Sequence, residues 1–206
     1  MTLWGRIFAT LYEPVLRVSE RHGLSDLRAG LLAQARGRTL ELGAGTGLNL
    51  GHYPAAVTEL VLTEPEAPMA ARLEARVRDR GASAQVLRAG AEHLPFADGS
   101  FDTVVATLVF CTVGDVARSL GEARRVLAPD GQLLFLEHVL HPDAARARRQ
   151  ERFTPIQRRV ACGCHLDRAT PAAITAAGFT LTEERHEHFP KSARILQPLA
   201  IGRATR

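Results

Sequence analysis

Hydrophobic positions along the chain change period several times, and each change marks an element. Leu3, Ile7, Leu11 and Val15, with Trp4 and Phe8 beside them, recur at helical spacing. Residues 26–35 continue as a second helical stretch, and Pro14 is expected to bend or divide the first helix. The period then shortens. Thr39-Leu40-Glu41-Leu42 reads as a buried strand running into a glycine cluster, and residues 60–62 as a second strand. Met69, Leu73 and Val77 share one face of a helix over 67–79, and residues 84–89 make a third strand. Residues 93–100, with Pro95 and the turn pair Asp98-Gly99, form a loop. Residues 103–107 and 133–136 are apolar runs of strand length separated by a helix aligned on Val116, Leu120, Ala123 and Leu127, which Pro129-Asp130-Gly131 is expected to end. After Val139 the patterning lapses for nearly thirty residues. Thr170-Pro171 then supplies a helix N-cap and first turn, Gly178 a C-terminal cap, and residues 179–185 and 194–201 two terminal strands.

Strands alternating with helices predict an α/β fold with a parallel sheet covered on both faces. At 206 residues, 46% hydrophobic and 23% charged, the chain suits a single globular domain and is unlike disordered, collagen-like or disulfide-stapled sequences. Charge changes the picture more. Between His141 and Arg168 seven arginines stand against Asp143, Glu151 and Asp167, which accounts for the whole net charge of +4. A positive segment on a neutral body points to a local role, as a lid over a substrate, a contact for a lipid head group, or simply solvated helix faces. Nucleic acid fits poorly, because the segment is short and Phe153 is its lone aromatic. Arginine supplies all the cations but Lys191, a bias that fits a GC-rich bacterial genome.

Cys111, Cys162 and Cys164 are an odd number, and the last two are too close in sequence for an unstrained disulfide, which suits a reducing cytoplasm. Cys162-Gly163-Cys164-His165 lacks the second ligand pair of a structural zinc site, so no metal is expected. The first residues, interrupted by Arg6 and Pro14, do not read as a signal peptide, and the longest weakly polar run, 103–113, is too short to span a bilayer.

Glu41-Leu42-Gly43-Ala44-Gly45-Thr46-Gly47 follows a strand and carries the candidate chemistry. Its glycines allow a backbone to approach a ligand where a Cβ would collide. The spacing differs from the dinucleotide fingerprint, which needs glycine where Leu48 stands, and lacks the lysine and length of a P-loop. Glu64 ends the second strand, where a carboxylate can take both hydroxyls of a ribose.

With Gly90-Ala91-Glu92-His93-Leu94-Pro95-Phe96-Ala97-Asp98-Gly99-Ser100-Phe101-Asp102, these residues resemble the class I S-adenosylmethionine (SAM) dependent methyltransferases of the type 11 group across residues 39–138. The resemblance implies a Rossmann-like fold: a mostly parallel seven-stranded sheet with helices on both faces and an antiparallel last strand. It implies SAM as cofactor, S-adenosylhomocysteine as product and a small-molecule methyl acceptor. It divides the chain into a helical cap (1–36), a SAM-binding core (37–139), a basic lid (140–169) and a C-terminal helix and strands (170–206). Glu41 and the loop Gly43, Ala44, Gly45, Thr46 and Gly47 would face the methionine part, with Tyr12, Asn49, Thr107, Leu108 and Cys111 around it. Glu64 would hold the ribose beside Pro65, Met69 would pack on adenine while also serving the core, and Ala91 and Glu92 would read the adenine edge. Where much of the family has an aspartate for the adenine amino group, this sequence has Gly90, so a water or backbone carbonyl must replace it. Asp102 reads as structural.

A narrower resemblance runs through Asn49-Leu50-Gly51-His52-Tyr53-Pro54, Thr107-Leu108-Val109-Phe110-Cys111-Thr112-Val113, Glu137-His138-Val139 and Gly163-Cys164 with Leu166 and Arg168. These stretches are similar to those of the methyltransferase-like alkyl thiol S-methyltransferases. That branch implies a thiol acceptor, with an amine, phospholipid or quinone as alternatives, as is a SAM-binding protein without catalysis. Its animal members carry an N-terminal hydrophobic anchor for which this sequence shows no counterpart, leaving peripheral membrane contact open. Glu137 and His138, at the end of the fifth strand, are the candidate catalytic residues, since histidine can take a proton from a thiol or amine near neutral pH. Capping a helix or touching a lid is the plain alternative for His138.

Overall fold

The computed structural model describes residues 3–161 and 163–206, with side chains from residue 10 onward apart from 11 and 162. The side chains of Leu3, Trp4, Ile7, Phe8 and Leu11, and Cys162, therefore lie outside the described residues. The chain runs α1 (Leu3–Ser19), α2 (Ser25–Leu32), β1 (Gly37–Leu42), β2 (Val57–Thr63), α3 (Ala67–Asp79), β3 (Ala84–Leu87), β4 (Phe101–Thr107) and α4 (Val116–Val126). It continues through β5 (Leu127–His138), α5 (Ala144–Val160), α6 (Thr170–Ala176), β6 (Thr180–Glu187) and β7 (Leu199–Thr205). The seven strands form one sheet in the order β3-β2-β1-β4-β5-β7-β6. All neighbours are parallel except β7, which runs antiparallel to β5 and β6. The expected architecture is thus the one observed.

Two-residue alternation distributes the strands between two cores. Val104 and Ala106 of β4 and Leu133 and Phe135 of β5 point to one side, where Leu120, Ala123 and Val126 of α4 and Ile174 of α6 cover them. Val105, Leu134 and Leu136 point to the other, against Leu31 and Leu32 of α2, and Leu73 and Val77 of α3 cover Leu60 and Leu62. With both faces covered, β1 and β4 sit where strand connections diverge to either side, and the crevice beyond their carboxyl ends is the place for a ligand.

Several expectations change. Pro14 does not divide α1, which runs through it; the chain turns later, at His22 and Gly23, where φ is −109° and +122°. Val15, expected on the apolar face, is 71% exposed. The helix on Val116, Leu120 and Ala123 ends at Val126, and Leu127 begins β5; Pro129-Asp130-Gly131 forms an irregularity within that strand, where pairing skips from Leu127 to Gln132. Thr170 is the first residue of α6 rather than its cap, and its buried hydroxyl has no partner. Gly178, at φ +86°, ends α6 as expected. Residues 194–196 form a short 3-10 turn, so the last strand starts only after Pro198. The largest correction is α5, a 17-residue helix in the stretch where patterning lapsed. Asp143 caps it by accepting from the Arg146 amide at 2.9 Å.

Asp102 has the structural place expected of it. Its carboxylate accepts from the Arg38 amide at 2.7 Å and fills the space beside Gly37. Gly202 of β7 packs more tightly still: a Cβ there would stand 2.7 Å from Phe135 Cζ and closer to the Glu183 carbonyl. Gly202→Ala is therefore expected to destabilise the protein by about 1–3 kcal/mol or more in urea unfolding, since the buried strand has nowhere to shift. An unchanged midpoint would show that β7 has slack against β5.

Candidate functional site

At the carboxyl edge of the sheet two cavities lie side by side. The first, of about 310 Å³, is lined by Gly43, Gly45, Glu64, Pro65, Met69, Ala91, Glu92 and the residues that follow β4. The second, of about 450 Å³, is walled mainly by apolar side chains, including Val15, Leu16, Val160 and Phe189, with Cys111, Cys164, Gln157 and His138 among them. Tyr12, Leu108, Thr112 and Ala161 belong to both walls.

Glycines at left-handed φ shape the first cavity. Gly43, Gly45 and Gly47 have φ of +54°, +60° and +84°, values that cost most residues strain. A Cβ on Gly45 would project toward Met69 and Tyr12 in the cavity wall, whereas one on Gly47 would strike Leu73 of α3 at 2.8 Å. Gly45 thus keeps room for a ligand, and Gly47 lets the loop lie against its helix. Thr46 is buried behind the loop and lines neither cavity. The Glu64 carboxylate accepts from the amides of Gly45 and Glu66, both at 2.9 Å. Burial holds its pKa above the ordinary carboxylate value, against those two amides. Its remaining lone pairs can meet vicinal hydroxyls.

Gly90 is not part of the cavity wall, but a side chain there would come within 3.2 Å of Glu92 Oε2. Glu92, fixed by the Gly114 amide at 2.9 Å, thus occupies the space beside Gly90. The loop that presents Ala91 and Glu92 is pinned by Arg125, which donates to Glu122, Asp98 and the carbonyls of Leu94 and Phe96. That pairing holds the Glu122 carboxyl down to about 2.

Glu41, Ala44, Asn49 and Thr107 surround a small hollow behind the first cavity. Glu41 accepts from Asn49 Nδ2 at 2.9 Å and from the Tyr53 hydroxyl at 2.6 Å. Arg28, only 2% exposed, donates to Asn49 Oδ1, Thr107 Oγ1 and Glu20. Sequence reasoning missed Arg28, which reaches the site from α2 and is one arginine among 25. Tyr12 borders all three spaces, and burial pushes its hydroxyl up to about 12, so it remains protonated.

The two candidate catalytic residues part company. Neighbours in a strand face opposite ways. Glu137 lines neither cavity; its carboxylate accepts from the amides of Val109, Phe110 and Cys111 at 2.8, 2.9 and 3.1 Å, and burial raises it to about 7. With both oxygens engaged it positions the loop after β4, a different role from the catalytic one expected. His138 lines the second cavity edge-on to Phe189, ring centroids 4.9 Å apart. Burial lowers it to about 4, and Nδ1 has no partner. Cys111 lies in the second cavity, not around the first, and its hydrogen bond to Cys164, together with burial, pushes its thiol up. No cluster of metal-ligating side chains occurs among the described residues, and Cys164 packs against Cys111 and Leu166 instead.

The pattern of known proteins agrees with this geometry. Residues 40–135 match the family model described as a methyltransferase domain. Human thiol S-methyltransferase TMT1B is 32% identical over 203 residues, which cover 93% of this chain and 83% of that one. Human thiol S-methyltransferase TMT1A is 30% identical, over 97% and 83%. Among solved structures, a SAM-dependent methyltransferase of Thermotoga maritima superposes with a TM-score of 0.71 at 23% identity, covering 98% of this chain and 97% of that one, a likeness of fold.

The depressed His138 sets a pH dependence. An unfolded chain takes up this proton as pH falls through 6.5, the folded one only near 4, so the stability due to the neutral ring is complete above 6.5 and is lost between these values. Relative to His138→Gln, the native protein is expected to lose about 2 kcal/mol more between pH 7 and pH 5 in urea titrations. Parallel losses in the two proteins would mean that the ring is solvated.

Proposed function

This chain belongs to the class I SAM-dependent methyltransferases, and from that premise we propose that it methylates the sulfur of an apolar small-molecule thiol. It uses SAM and releases S-adenosylhomocysteine. The observation that carries the choice of acceptor is the second cavity, mainly apolar and lined by a buried, neutral imidazole. Apolar walls suit an alkyl or aryl thiol, and the named activity of the two human relatives supports sulfur over other atoms.

The residues of the first cavity suit the cofactor. The glycine cradle leaves room beside Gly45, Glu64 offers lone pairs to the ribose, and Met69 and Pro65 offer an apolar face to adenine. Glu92 accepts from the adenine amino group in place of the aspartate absent at Gly90. Arg28 and Glu41, joined through Asn49, provide opposite charges for the amino-acid end. Bound SAM supplies a methyl group on a sulfonium, whose displacement needs no acid. What the chain itself contributes is then alignment, exclusion of water and removal of one proton. His138 takes that proton on its imidazole ring. Its pKa of about 4 lies far below that of a resting thiol, roughly 8.5. The thiol therefore keeps its proton until its sulfur commits a lone pair to bonding, when the S–H group becomes the stronger acid and the imidazole accepts. Tyr12 and Cys111, both protonated, add no competing charge.

Isothermal calorimetry with SAM and S-adenosylhomocysteine tests the cofactor assignments. Glu64→Ala is expected to weaken SAM binding by about 1.5–3 kcal/mol through the loss of charged hydrogen bonds; unchanged affinity would remove Glu64 from the ribose site.

A mass-spectrometric screen of thiols, amines, phenols, quinones and phospholipids tests the acceptor. Thiols are expected to react, and His138→Ala to lower turnover about 10²–10⁴-fold with SAM affinity unchanged. Reaction of another class in place of thiols would overturn the choice of sulfur, and SAM binding with no acceptor methylated would mark a binding protein without catalysis.

A further inference from the structure

Helix α5 buries polar side chains and leaves apolar ones exposed. Gln150, Thr154 and Gln157, spaced by four and three, face the protein; Gln150 and Thr154 are 2% and 4% exposed. Gln150 Nε2 donates to the carbonyls of Val139, Ile195 and Gln197, and its Oε1 accepts from the His141 amide. Phe153, Ile156 and Val160, spaced by three and four on the adjoining flank of the helix, are 40%, 53% and 54% exposed. A helix meeting water alone carries its apolar stripe inward. This stripe leads to the second cavity, because Val160 lines its wall. Across that wall Val15 of α1 is 71% exposed, and Val18 beside it 52%. Exposed Arg149, Arg152 and Arg159 flank the stripe, and α5 holds six arginines against Glu151 alone.

We propose that this face, the apolar stripe of α5 with Val15 and Val18, docks the protein on an anionic lipid surface with the acceptor cavity opening toward the bilayer. The guanidinium groups meet head-group phosphates while the apolar side chains reach the boundary between head groups and acyl chains. Attachment of this kind lies in the interface, in keeping with the absence, among the described residues, of a helix long and apolar enough to cross a membrane. A second copy of the chain fits the face less well, because a two-fold contact would bring like-charged flanks together. Apolar acceptors concentrate in bilayers, so a cavity that opens there takes them from lipid without a passage through water. The docking rests on α5 and its charge and is independent of which atom receives the methyl group.

Flotation of the full chain with vesicles of phosphatidylcholine, with and without phosphatidylglycerol, tests it without any substrate. Binding is expected only with phosphatidylglycerol, released by salt. Arg149→Glu with Arg152→Glu should lower partitioning about 20-fold or more. Phe153→Ser with Ile156→Ser should lower it on the order of tenfold. Both pairs should leave SAM affinity intact by calorimetry, which reports the fold. Absence of binding to anionic vesicles, or binding that neither pair changes, would overturn the proposal. So would a solution dimer that Phe153→Ser with Ile156→Ser dissociates, which would assign the face to a second copy.

Discussion

The buried carboxylate of Glu137 holds the carboxyl edge of the sheet in its working shape. A charge removed from water costs several kcal/mol unless its lone pairs are met, and here three consecutive amides, those of Val109, Phe110 and Cys111, meet them. Arg168 grips the same loop from its carbonyl side, donating to Phe110 and, at 2.7 Å, to Val113. Between these two clamps the chain leaves β4 through Leu108 at φ +59°. A leucine in that conformation stores on the order of 1–3 kcal/mol of strain and persists only where its surroundings over-determine it. Leu108 stands in the walls of both cavities, so the partition between them depends on a strained residue that Glu137 and Arg168 keep in place.

That partition also divides the electrostatics. Glu64 and Glu92 line the first cavity and Glu41 stands behind it, a setting suited to a cationic ligand. Among the described residues the second has no carboxylate in its wall; it holds a neutral imidazole, a protonated Cys111 and Gln157, with Lys191 as its charged residue. Alternation along β5 produces both halves of the arrangement, since Glu137 turns toward the loop and His138, one residue on, toward the acceptor side. Arg168 belongs to the basic stretch, so at least one of its seven arginines serves the site's framework and not a surface field.

What the sequence made legible was local. The glycine loop, Glu64 and the stretch 90–102 could be read because each lies within a strand-turn-helix context whose chemistry is set by near neighbours. The stretch 90–102 owes its regularity to Arg125, which fastens it from α4. Arg28, Phe189 and Gln157 reach the site only through tertiary folding and carry no local signal. Glu137 and His138 were legible as a pair at a strand end, but their different roles depend on which loop meets which face. Pro14 does not divide α1 because its fixed φ is close to the helical value, so the chain can pass through it. Helix α5 was invisible because a reader of periodicity looks for apolar residues on the buried side, and here that side is Gln150, Thr154 and Gln157.

The polar inner face of α5 has a consequence for how the second cavity is closed. An ordinary helix is held by apolar burial along its whole length, which would have drawn Phe153 and Ile156 inward. Gln150 instead fastens α5 to the end of β5 and to the turn at 194–197, and Thr154 Oγ1 accepts from the Leu166 amide. Such bonds contribute about 1 kcal/mol each, and they act at fixed points. Both of these points lie before Pro155, whereas the residues that line the cavity, Gln157, Val160 and Ala161, lie after it. Beside the cavity the helix is held by other means: Gln157 bonds to Cys164 and Ala161 packs against Cys111, Cys164 and Leu166, so the wall it contributes is tied to the loop after β4, and the anchor and the wall fix α5 at two separate points.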